Sequence, residues 1–506
     1  MEKRPLMRDR SATRFAGRAA WCISLAAFVF FARAWLIKGW GSPLPFWDQW
    51  DAEAIGLYAP FRNGTLRWQD LFSAHNEHHI LLTRLTDLAL FIAYGGWNPW
   101  AQLLINAALH ATTAAVLAAL FWNAMPSRRD DNAAFILGLA FLFAATCGWQ
   151  NALHGFQSQV YFANLLDVIA IAGLCGTTPF RRYWWIGLVS AGLAFFSNAG
   201  GILAAVAALA VGSISIGENR RQARSWTALG LIAGVVGLAL LAGGSAPQHA
   251  VFHARSVTDF LAVLAHCLAW PWVNNGLFFP VMQLPLVCLM LTRWRQKIVL
   301  TPMERCALAL GLFGFLQAAA IAYSRGAALP EFRPLSRYQD PLLLGVVGQL
   351  AAIVTLFSSR ARFIRMAGLI WCAVAMAGLI ILTETNFTLH LPFKRAQDRA
   401  NLAIVRTYAA THNPAAFSSD PNFSGPHPNP RVVQHVIDDP LLRSTLPREI
   451  FAPASSDATQ LPWLIRHSAA LTAASGLILL CVIGNSLRQK STRSADESTD
   501  FVDEHG

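Results

Sequence analysis

The sequence predicts an all-α protein that crosses a membrane many times, with about twelve transmembrane helices. Of its 506 residues, 55% are hydrophobic and only 13% are charged, whereas soluble domains carry roughly 25% charged residues. Apolar runs long enough to cross a hydrocarbon core recur from one end of the chain to the other. Such spans must be helical because lipid cannot satisfy free backbone groups.

Each predicted span is an apolar stretch bordered by polar or basic residues, with a length that suits a hydrocarbon core roughly 30 Å thick. The first follows a basic stretch and lacks a small-residue cleavage site, which favours a retained signal-anchor over a cleaved signal peptide. The predicted spans cover residues 18–38, 99–123, 133–148, 159–176, 184–197, 199–216, 226–243, 273–291, 302–323, 340–357, 365–382 and 467–486.

Seven short basic clusters lie between the apolar runs and near the two ends of the chain. If all of them are cytoplasmic, both termini lie inside the cell and the orientation of every span is fixed. The net charge of +12 is then explained by topology signals and predicts no nucleic-acid partner. The clusters cover residues 3–18, 128–129, 181–182, 220–224, 293–297, 360–365 and 488–493.

Two apolar segments, residues 80–94 and 258–272, are too short to count as spans. The first contains Arg84 and Asp87, which are costly at the centre of a bilayer, and a crossing here would place every later basic cluster outside. We therefore predict amphipathic helices that lie along the outer surface. In the first helix the side chains expected to face lipid or a neighbouring span are those of Leu81, Leu82, Leu85, Leu88 and Leu90.

The chain divides into five predicted parts. The segment before the last span is rich in Pro, Asn, Asp and Ser and is expected to form a small appendage outside the cell. The eight cysteines lie within or beside apolar runs and form no CxxC pair, which argues against a disulfide framework or a thiolate metal site. The parts are a cytoplasmic N-terminus (1–17), a membrane domain (18–382) with an outer loop at 39–98, an extracytoplasmic segment (383–466), a final transmembrane helix (467–486) and a cytoplasmic tail (487–506).

The outer loop opens with a dense acidic motif that contains Asp48, Asp51 and Glu53. On a helix, Asp48 and Asp51 would share one face at a spacing of three residues. A carboxylate held there could act as a general base toward a hydroxyl, or bind a divalent cation that neutralises a phosphate. The alternative is a solvated turn with a capping Asp. The flanking Trp47 and Trp50 favour chemistry, because aromatic faces beside carboxylates commonly hold sugar rings.

A second motif follows at His75, Glu77, His78 and His79. The three imidazoles could share a helical face and contact substrate or phosphate, bind a metal together with Asp48 and Asp51, or cap the following surface helix. For the metal the candidate ligands are Asp48, Asp51, His75 and His79. The spacing fits neither H-E-x-x-H nor H-x-x-E-H, so metalloprotease chemistry is not predicted.

A third candidate is an arginine-rich outer loop with Arg325, Arg333, Arg337 and Tyr338. Three arginines outside run against the positive-inside bias, so an anion is expected to offset them. Guanidinium groups suit phosphate oxygens, and the alternative is pairing with nearby carboxylates or lipid headgroups. The amide-rich stretch at residues 149–159 could bind a hydroxyl-rich ligand, or could simply pack and cap.

This arrangement resembles the GT-C superfamily of polyprenyl-phosphate-sugar-dependent glycosyltransferases, and more specifically the bacterial members related to glycosyltransferase family 39. The shared features are an early acidic motif after the first span, a surface helix that ends in a glycine turn at Gly95 and Gly96, and a late outer-loop arginine in Ser336-Arg337-Tyr338. The resemblance implies that Asp48 is the general base or positions the acceptor, with Asp51 second and Glu53 third. It implies that Arg337 meets the donor phosphate.

The function expected from the resemblance is transfer of a sugar from a polyprenyl-phosphate donor to a hydroxyl of a glycan, lipid or protein. The site would face outward from the inner membrane of a bacterium, among membrane lipids. No cofactor is required, although a divalent cation could take part. No G-x-x-x-x-G-K-[ST] sequence occurs, which argues against an ATP-driven transporter. The alternatives are a transporter or flippase of lipid-linked glycans, and a non-catalytic envelope assembly protein.

Overall fold

The chain is an all-α polytopic membrane protein. A computed structural model describes residues 7–122, 129–218, 223–244, 247–357, 362–418, 425–451 and 461–500. The described strands are two, β1 (Ala74–His75) and β2 (His78–His79), which pair antiparallel in one small hairpin. Four of the basic clusters, at residues 3–18, 128–129, 220–224 and 360–365, lie partly outside the described ranges.

Twenty α-helices account for most of the described chain. Two π-helices, Gln49–Tyr58 and Asn386–His390, each continue directly into the α-helix that follows. The α-helices are α1 (Met7–Trp40), α2 (Ala59–Arg62), α3 (Leu81–Tyr94), α4 (Pro99–Trp122), α5 (Arg129–Ala144), α6 (Trp149–Ala152), α7 (Ser158–Gly176), α8 (Arg182–Phe195), α9 (Leu203–Glu218), α10 (Ala223–Ala242), α11 (Val257–Leu268), α12 (Phe279–Gln296), α13 (Pro302–Arg325), α14 (Gln339–Phe357), α15 (Arg362–Thr385), α16 (Leu391–Thr411), α17 (Pro430–Asp438), α18 (Pro440–Arg443), α19 (Trp463–Arg466) and α20 (Ser468–Asp500).

Nine helical segments in the described parts of the chain are long and apolar enough to cross a membrane. They lie in α1, α4, α7, α10, α12, α13, α14, α15 and α20, and each coincides with a predicted span. The other three predicted spans correspond to α5, α8 and α9, which have only 14 to 16 residues. At 1.5 Å per residue these helices are about 21–24 Å long, which is shorter than a typical hydrocarbon core. Twelve crossings therefore stay a prediction.

One large apolar core joins the long helices. Gly314 of α13 and Gly345 of α14 meet so closely that a Cβ on Gly314 would lie 2.6 Å from the Cα of Gly345. Small residues of this kind let membrane helices approach each other. The outward face of α10 is apolar instead, with Leu238, Leu240 and Leu241 all exposed, as expected for a helix that contacts lipid.

The two ends of the bundle differ in chemistry. At one end basic side chains meet the last turns of helices, where Arg18 donates to the carbonyl of Ala119 at 2.9 Å and Arg305 to that of Cys175 at 3.1 Å. At the other, here called the loop end, residues 41–98 pack against described residues between 402 and 450. Their shared apolar core is formed by Leu44, Trp50, Ala54, Leu57, Tyr58, Phe91, Trp97, Val405, Tyr408, Ala409, Val433, Val436, Ile437, Leu442, Leu446 and Ile450.

Helix α3 begins and ends at the loop end, and its place on the membrane surface stays a prediction. The N–H of Leu81 donates to the carbonyl of Phe196 at 2.9 Å, and the N–H of Trp97, just after the helix, donates to that of Thr445 at 3.0 Å. Its Arg84 does not face lipid, because the guanidinium donates to backbone carbonyls of residues 70, 71 and 73. Gly95 ends α3 in the left-handed conformation, with φ +68°.

Candidate functional site

The two leading carboxylates stand at the start of the first π-helix. Asp48 directly precedes Gln49–Tyr58 and Asp51 lies in its first turn, and their side chains are 43% and 41% exposed. The chain enters this helix through Trp47, which has φ +51° and donates its N–H to the carbonyl of Pro426 at 2.8 Å. Asp48 makes no capping hydrogen bond. One carboxylate oxygen from each lies within 4.8 Å of the other, and both side chains are accessible.

The histidine motif does not form the helical face that the sequence suggested. Residues 74–79 make the β1–β2 hairpin, in which His75 pairs with His78 and Asn76 takes a left-handed conformation at φ +52°. The prediction of a helix here is wrong because a tight turn at Asn76 and Glu77 reverses the chain, so side chains alternate between two faces.

His75 is the imidazole that joins the carboxylates. Its Nε2 lies 4.0 Å from Oδ1 of Asp48, and one ligand atom from each of Asp48, Asp51 and His75 lies within 4.8 Å of the others. The His75 Nε2 is buried and has no hydrogen-bond partner among the described residues. A divalent cation with ligands at roughly 2.0–2.6 Å would fit among these three atoms.

His79, the fourth suggested ligand, is directed elsewhere. Its two ring nitrogens lie 2.8 Å from the carbonyl oxygen of Phe72 and 2.9 Å from that of Ala242. His78 accepts from the N–H of Ala199 at 3.3 Å. Desolvation lowers the pKa of His78 to about 4. Neither residue belongs with the carboxylates.

Glu77 is the centre of an ion cluster that ties three loops together. Its carboxylate accepts from Nη2 of Arg325 at 2.6 Å and lies 2.7 Å from Nδ1 of His249. Burial opposes its ionisation, but the charges of His78, Arg325 and His249 outweigh this and lower the pKa of Glu77 to about 2. Arg325, predicted to bind a donor phosphate, is therefore already neutralised by a carboxylate.

The other two arginines of the late loop differ sharply. Arg333 is exposed and forms an ion pair with Glu331. The guanidinium of Arg337 has no hydrogen-bonding acceptor among the described residues; it lies 5.2 Å from the ring centre of Tyr338, and its Nε is buried. The hydroxyl of Tyr338 accepts from Nε of Arg325 at 3.2 Å. Arg337 is thus the arginine of this loop that is free to bind an anion.

The acidic motif is connected to His154 by stacked rings. Phe46, two residues before Asp48, stacks on His154 with ring centres 4.7 Å apart. Burial, together with the positive charges of Lys394 and Arg337, holds the pKa of His154 well below its ordinary value. Stacked rings therefore connect the acidic motif to His154, a ring whose pKa responds to the charge of Arg337.

Two predicted substrate contacts are instead buried in the core beneath the site. Trp50 is inaccessible and donates its Nε1–H to the carbonyl of Pro45 at 2.9 Å. Glu53 is 2% exposed. Trp47 is only partly buried and stacks on Phe46, with ring centres 5.4 Å apart. Of the two tryptophans, Trp47 therefore remains the one that could contact a substrate.

Glu53 forms a buried carboxyl pair with Asp87 that the sequence did not reveal. Nε2 of Gln102 donates to both, at 2.7 Å to Oε2 of Glu53 and at 2.7 Å to Oδ1 of Asp87. Desolvation, and for Asp87 also the charge of Glu53, raises the pKa of both carboxyls. Two like charges this close cannot both ionise readily, so the pair retains a proton. It anchors α3 to the helix that carries Asp51.

The contribution of this pair to stability should fall as pH rises. The folded state keeps protons that the unfolded chain releases near pH 4, and stability falls wherever the folded state binds more protons. Each unit of pKa difference is worth about 1.4 kcal/mol, so between about pH 5 and about pH 8 we expect a loss on the order of 2 kcal/mol. Asp87→Asn should reduce this loss, as followed by thermal unfolding in detergent. An equal dependence of stability on pH in the wild-type protein and in Asp87→Asn would contradict the prediction.

His427 is a site residue that sequence reasoning missed. Its Nε2 lies 3.8 Å from Oδ2 of Asp51, and it comes from the segment whose role the sequence left open. Burial alone would raise the pKa of Asp51, but contact with His427 and the charges of His75 and His427 hold it below its ordinary value. No local sequence signal marks His427, since 376 residues separate it from Asp51.

Fold and site together define an all-α polytopic membrane protein with an acidic and cationic cluster at one end of its helical bundle. No protein-family model, curated protein or solved structure matches the chain. The function must therefore be argued from the chemistry of the site.

Proposed function

We propose that this protein is a membrane glycosyltransferase that moves a sugar from a polyprenyl-phosphate donor to a hydroxyl of a glycan, lipid or protein. The observation that carries the proposal is that the loop end offers accessible carboxylates, at Asp48 and Asp51, and also the guanidinium of Arg337, which has no acceptor among the described residues. A transfer of this kind needs a base for the acceptor hydroxyl and a cation for the phosphate that leaves. The GT-C-like fold suggested by the sequence is part of this proposal.

In the proposed reaction Asp48 takes the proton of the acceptor hydroxyl as the oxygen attacks the anomeric carbon. The bond from that carbon to the phosphate oxygen breaks, and its electron pair leaves with the lipid phosphate, whose negative charge Arg337 stabilises. If a divalent cation binds, Asp48, Asp51 and His75 would hold it, and it would supply further charge neutralisation for the phosphate. The sugar can then be held against the exposed face of Trp47.

The membrane orientation is also part of the proposal. Counting α5, α8 and α9 as short spans gives twelve crossings, with both termini on the side of Arg18 and Arg305. Basic residues favour the cytoplasmic side, so the loop end would face outward from the inner membrane of a bacterium. There it meets lipid-linked sugars and their acceptors without any need for a nucleotide site.

Cysteine labelling tests this orientation directly. Ser73 is exposed at the loop end, and Lys297 is exposed at the end of α12 on the opposite side. In intact cells a membrane-impermeant maleimide should label Ser73→Cys, whereas Lys297→Cys should react only after the membrane is opened. The reverse pattern would show that the loop end is cytoplasmic and would refute the proposed topology.

The proposed function predicts a specific change in the cell envelope. Removal of the protein should eliminate one sugar substituent from an envelope glycan, lipid or protein, together with accumulation of its polyprenyl-phosphate sugar, as measured by mass spectrometry. Restoring the wild-type chain should reverse both changes. An envelope with unchanged composition and no accumulated donor would rule out the transferase.

A transporter of lipid-linked glycans is the second candidate, and one observation favours it. Asp167 lies in the middle of α7, is 1% exposed, and neither of its carboxylate oxygens has a hydrogen-bond partner among the described residues. Buried ionisable residues in spans often mark ion or proton pathways. Asp167→Asn should stop transport if this candidate is right, whereas purified transferase activity should survive the change.

A further inference from the structure

Both peptide groups of Arg337 are held by amide side chains of the short helix α6. The N–H of Arg337 donates to Oε1 of Gln150 at 3.0 Å, and Nδ2 of Asn151 donates to the carbonyl of Arg337 at 2.9 Å. The N–H of Gln150 donates in turn to Oγ of Ser336 at 3.2 Å. Two consecutive residues of α6 thus hold the backbone of one arginine that lies 186 residues away.

The same amide is fixed from its other side by the start of α14. Nδ2 of Asn151 also donates to Oδ2 of Asp340 at 2.7 Å, and both residues are buried. Gly148 makes room for this contact. It has φ +66°, and a Cβ there would lie 2.2 Å from both carboxylate oxygens of Asp340. A side chain at residue 148 would therefore displace Asp340 and, through Asn151, the backbone of Arg337.

The guanidinium of Arg337 contrasts with its tightly held backbone. Its Nε is buried with no hydrogen-bond partner among the described residues. A buried polar group without a partner costs about 1–3 kcal/mol, and more when it is charged. A rigid backbone that presents such a group is expected of a site preorganised for an anion, because binding then costs little conformational entropy.

We propose that Asn151, assisted by Gln150 and by Asp340 behind it, is a positioning residue that presents Arg337 to the phosphate of the lipid-linked donor. This inference rests on the proposed function, because that function supplies the phosphate. Asn151 itself does not touch the donor; it acts by fixing the peptide groups of Arg337.

The test is a donor titration with the purified full-length protein in detergent. Loss of a hydrogen bond to a charged or well-ordered group is worth roughly 1.5–3 kcal/mol, or about tenfold to a hundredfold in affinity. Asn151→Ala should raise the donor KM about tenfold, with a smaller change in kcat. Gln150→Ala, which removes one acceptor from a partly exposed residue, should raise it less and serves if Asn151→Ala does not fold.

A double-substitution cycle separates positioning from general damage to the fold. If Asn151 acts only through Arg337, the variant that combines Asn151→Ala with Arg337→Ala should have the same donor KM as Arg337→Ala alone. A general structural role would instead make the effects of the two substitutions multiply. Asn386→Ala is the matched control, because Asn386 is another buried asparagine that donates to the carbonyl and hydroxyl of Thr146. This substitution should leave the donor KM unchanged.

A pair of glycines gives a second control. Gly95 has φ +68° like Gly148, but a Cβ there meets no atom within 4 Å. Both Gly→Ala substitutions strain the backbone, by roughly 1–2 kcal/mol, yet only Gly148→Ala displaces Asp340. We expect Gly148→Ala to raise the donor KM about tenfold or more and Gly95→Ala to leave it within about twofold.

Competition identifies the anion. Polyprenyl phosphate without a sugar should compete with the donor in the wild-type protein and about tenfold less well in Asn151→Ala, whereas inorganic phosphate at the same concentration should not compete. Equal competition by inorganic phosphate would overturn the assignment to a lipid-linked phosphate. If Arg337→Ala raises the donor KM but Asn151→Ala and Gln150→Ala do not, the positioning role is refuted. If Arg337→Ala itself has no effect, the phosphate role in the proposed function fails instead.

Discussion

Replacement of Asp48 by Asn should abolish sugar transfer while the protein stays folded in the membrane. A positioned general base typically contributes a factor of about 10²–10⁴ to the rate, so we expect a loss of at least about a hundredfold. The side chain of Asp48 is accessible and makes no hydrogen bond within its own helix, which leaves its oxygens available to an acceptor hydroxyl. The measurement is transfer of labelled sugar from a polyprenyl-phosphate donor in membranes.

Asp51 and Asp70 provide the comparison. Asp51 accepts from the N–H of Ala52 and contacts His427, and its lowered pKa makes it a weaker base, so Asp51→Asn should reduce transfer less than Asp48→Asn. Asp70 is a carboxylate of the same loop that pairs with Arg67 at the surface, and Asp70→Asn should have no effect. Normal transfer by a folded Asp48→Asn variant would end its assignment as the base.

Replacement of Arg337 by Ala should raise the donor KM by about a hundredfold and should also lower kcat, because the phosphate gains negative charge as it leaves. A guanidinium bound to phosphate makes strong charge-assisted hydrogen bonds, and Arg337 has no protein acceptor among the described residues that would compete for it. The measurement is the initial rate of transfer as a function of donor concentration, at saturating acceptor.

Arg333→Ala is the matched control for this experiment. Arg333 comes from the same loop, but it is 44% exposed and paired with Glu331, and surface ion pairs contribute only about 0–1 kcal/mol. We expect a change in donor KM within about twofold. Similar effects of the two substitutions would mean that the loop acts through its general positive charge, and that no single arginine binds the phosphate.

Much of the membrane architecture could be predicted because it depends on local composition. In the part of the chain that the structure describes, all nine helical segments that are long and apolar enough to cross a membrane coincide with predicted spans. The predicted limits of α3 differ from the observed ones by a single residue. The free-energy cost of placing a charge in lipid depends on each segment by itself. The apolar length of each segment, together with the charges of Arg84 and Asp87 in α3, was therefore sufficient to predict these helices. The final helix, in contrast, continues to Asp500, beyond the predicted end of the span.

The candidate site shows where local reasoning stops. The spacing of Asp48 and Asp51 was enough to predict a common face, but the histidines form a hairpin, so only His75 reaches the carboxylates. Three arginines looked equivalent in sequence. The structure separates them by their partners, because Glu77 neutralises Arg325 and Glu331 pairs with Arg333.

By itself the sequence determined that this protein lies in a membrane and which apolar segments are long enough to cross it. It also determined that the polar side chains are concentrated in a few loops. Hydropathy and charge are properties of neighbouring residues, and lipid selects on them directly. Only the tertiary structure decided which loops meet. It brought His427 to Asp51 and the amides of α6 to Arg337, and it buried Glu53 with Asp87. These contacts join residues far apart in the chain, and they depend on helix packing and on burial, which no local pattern encodes.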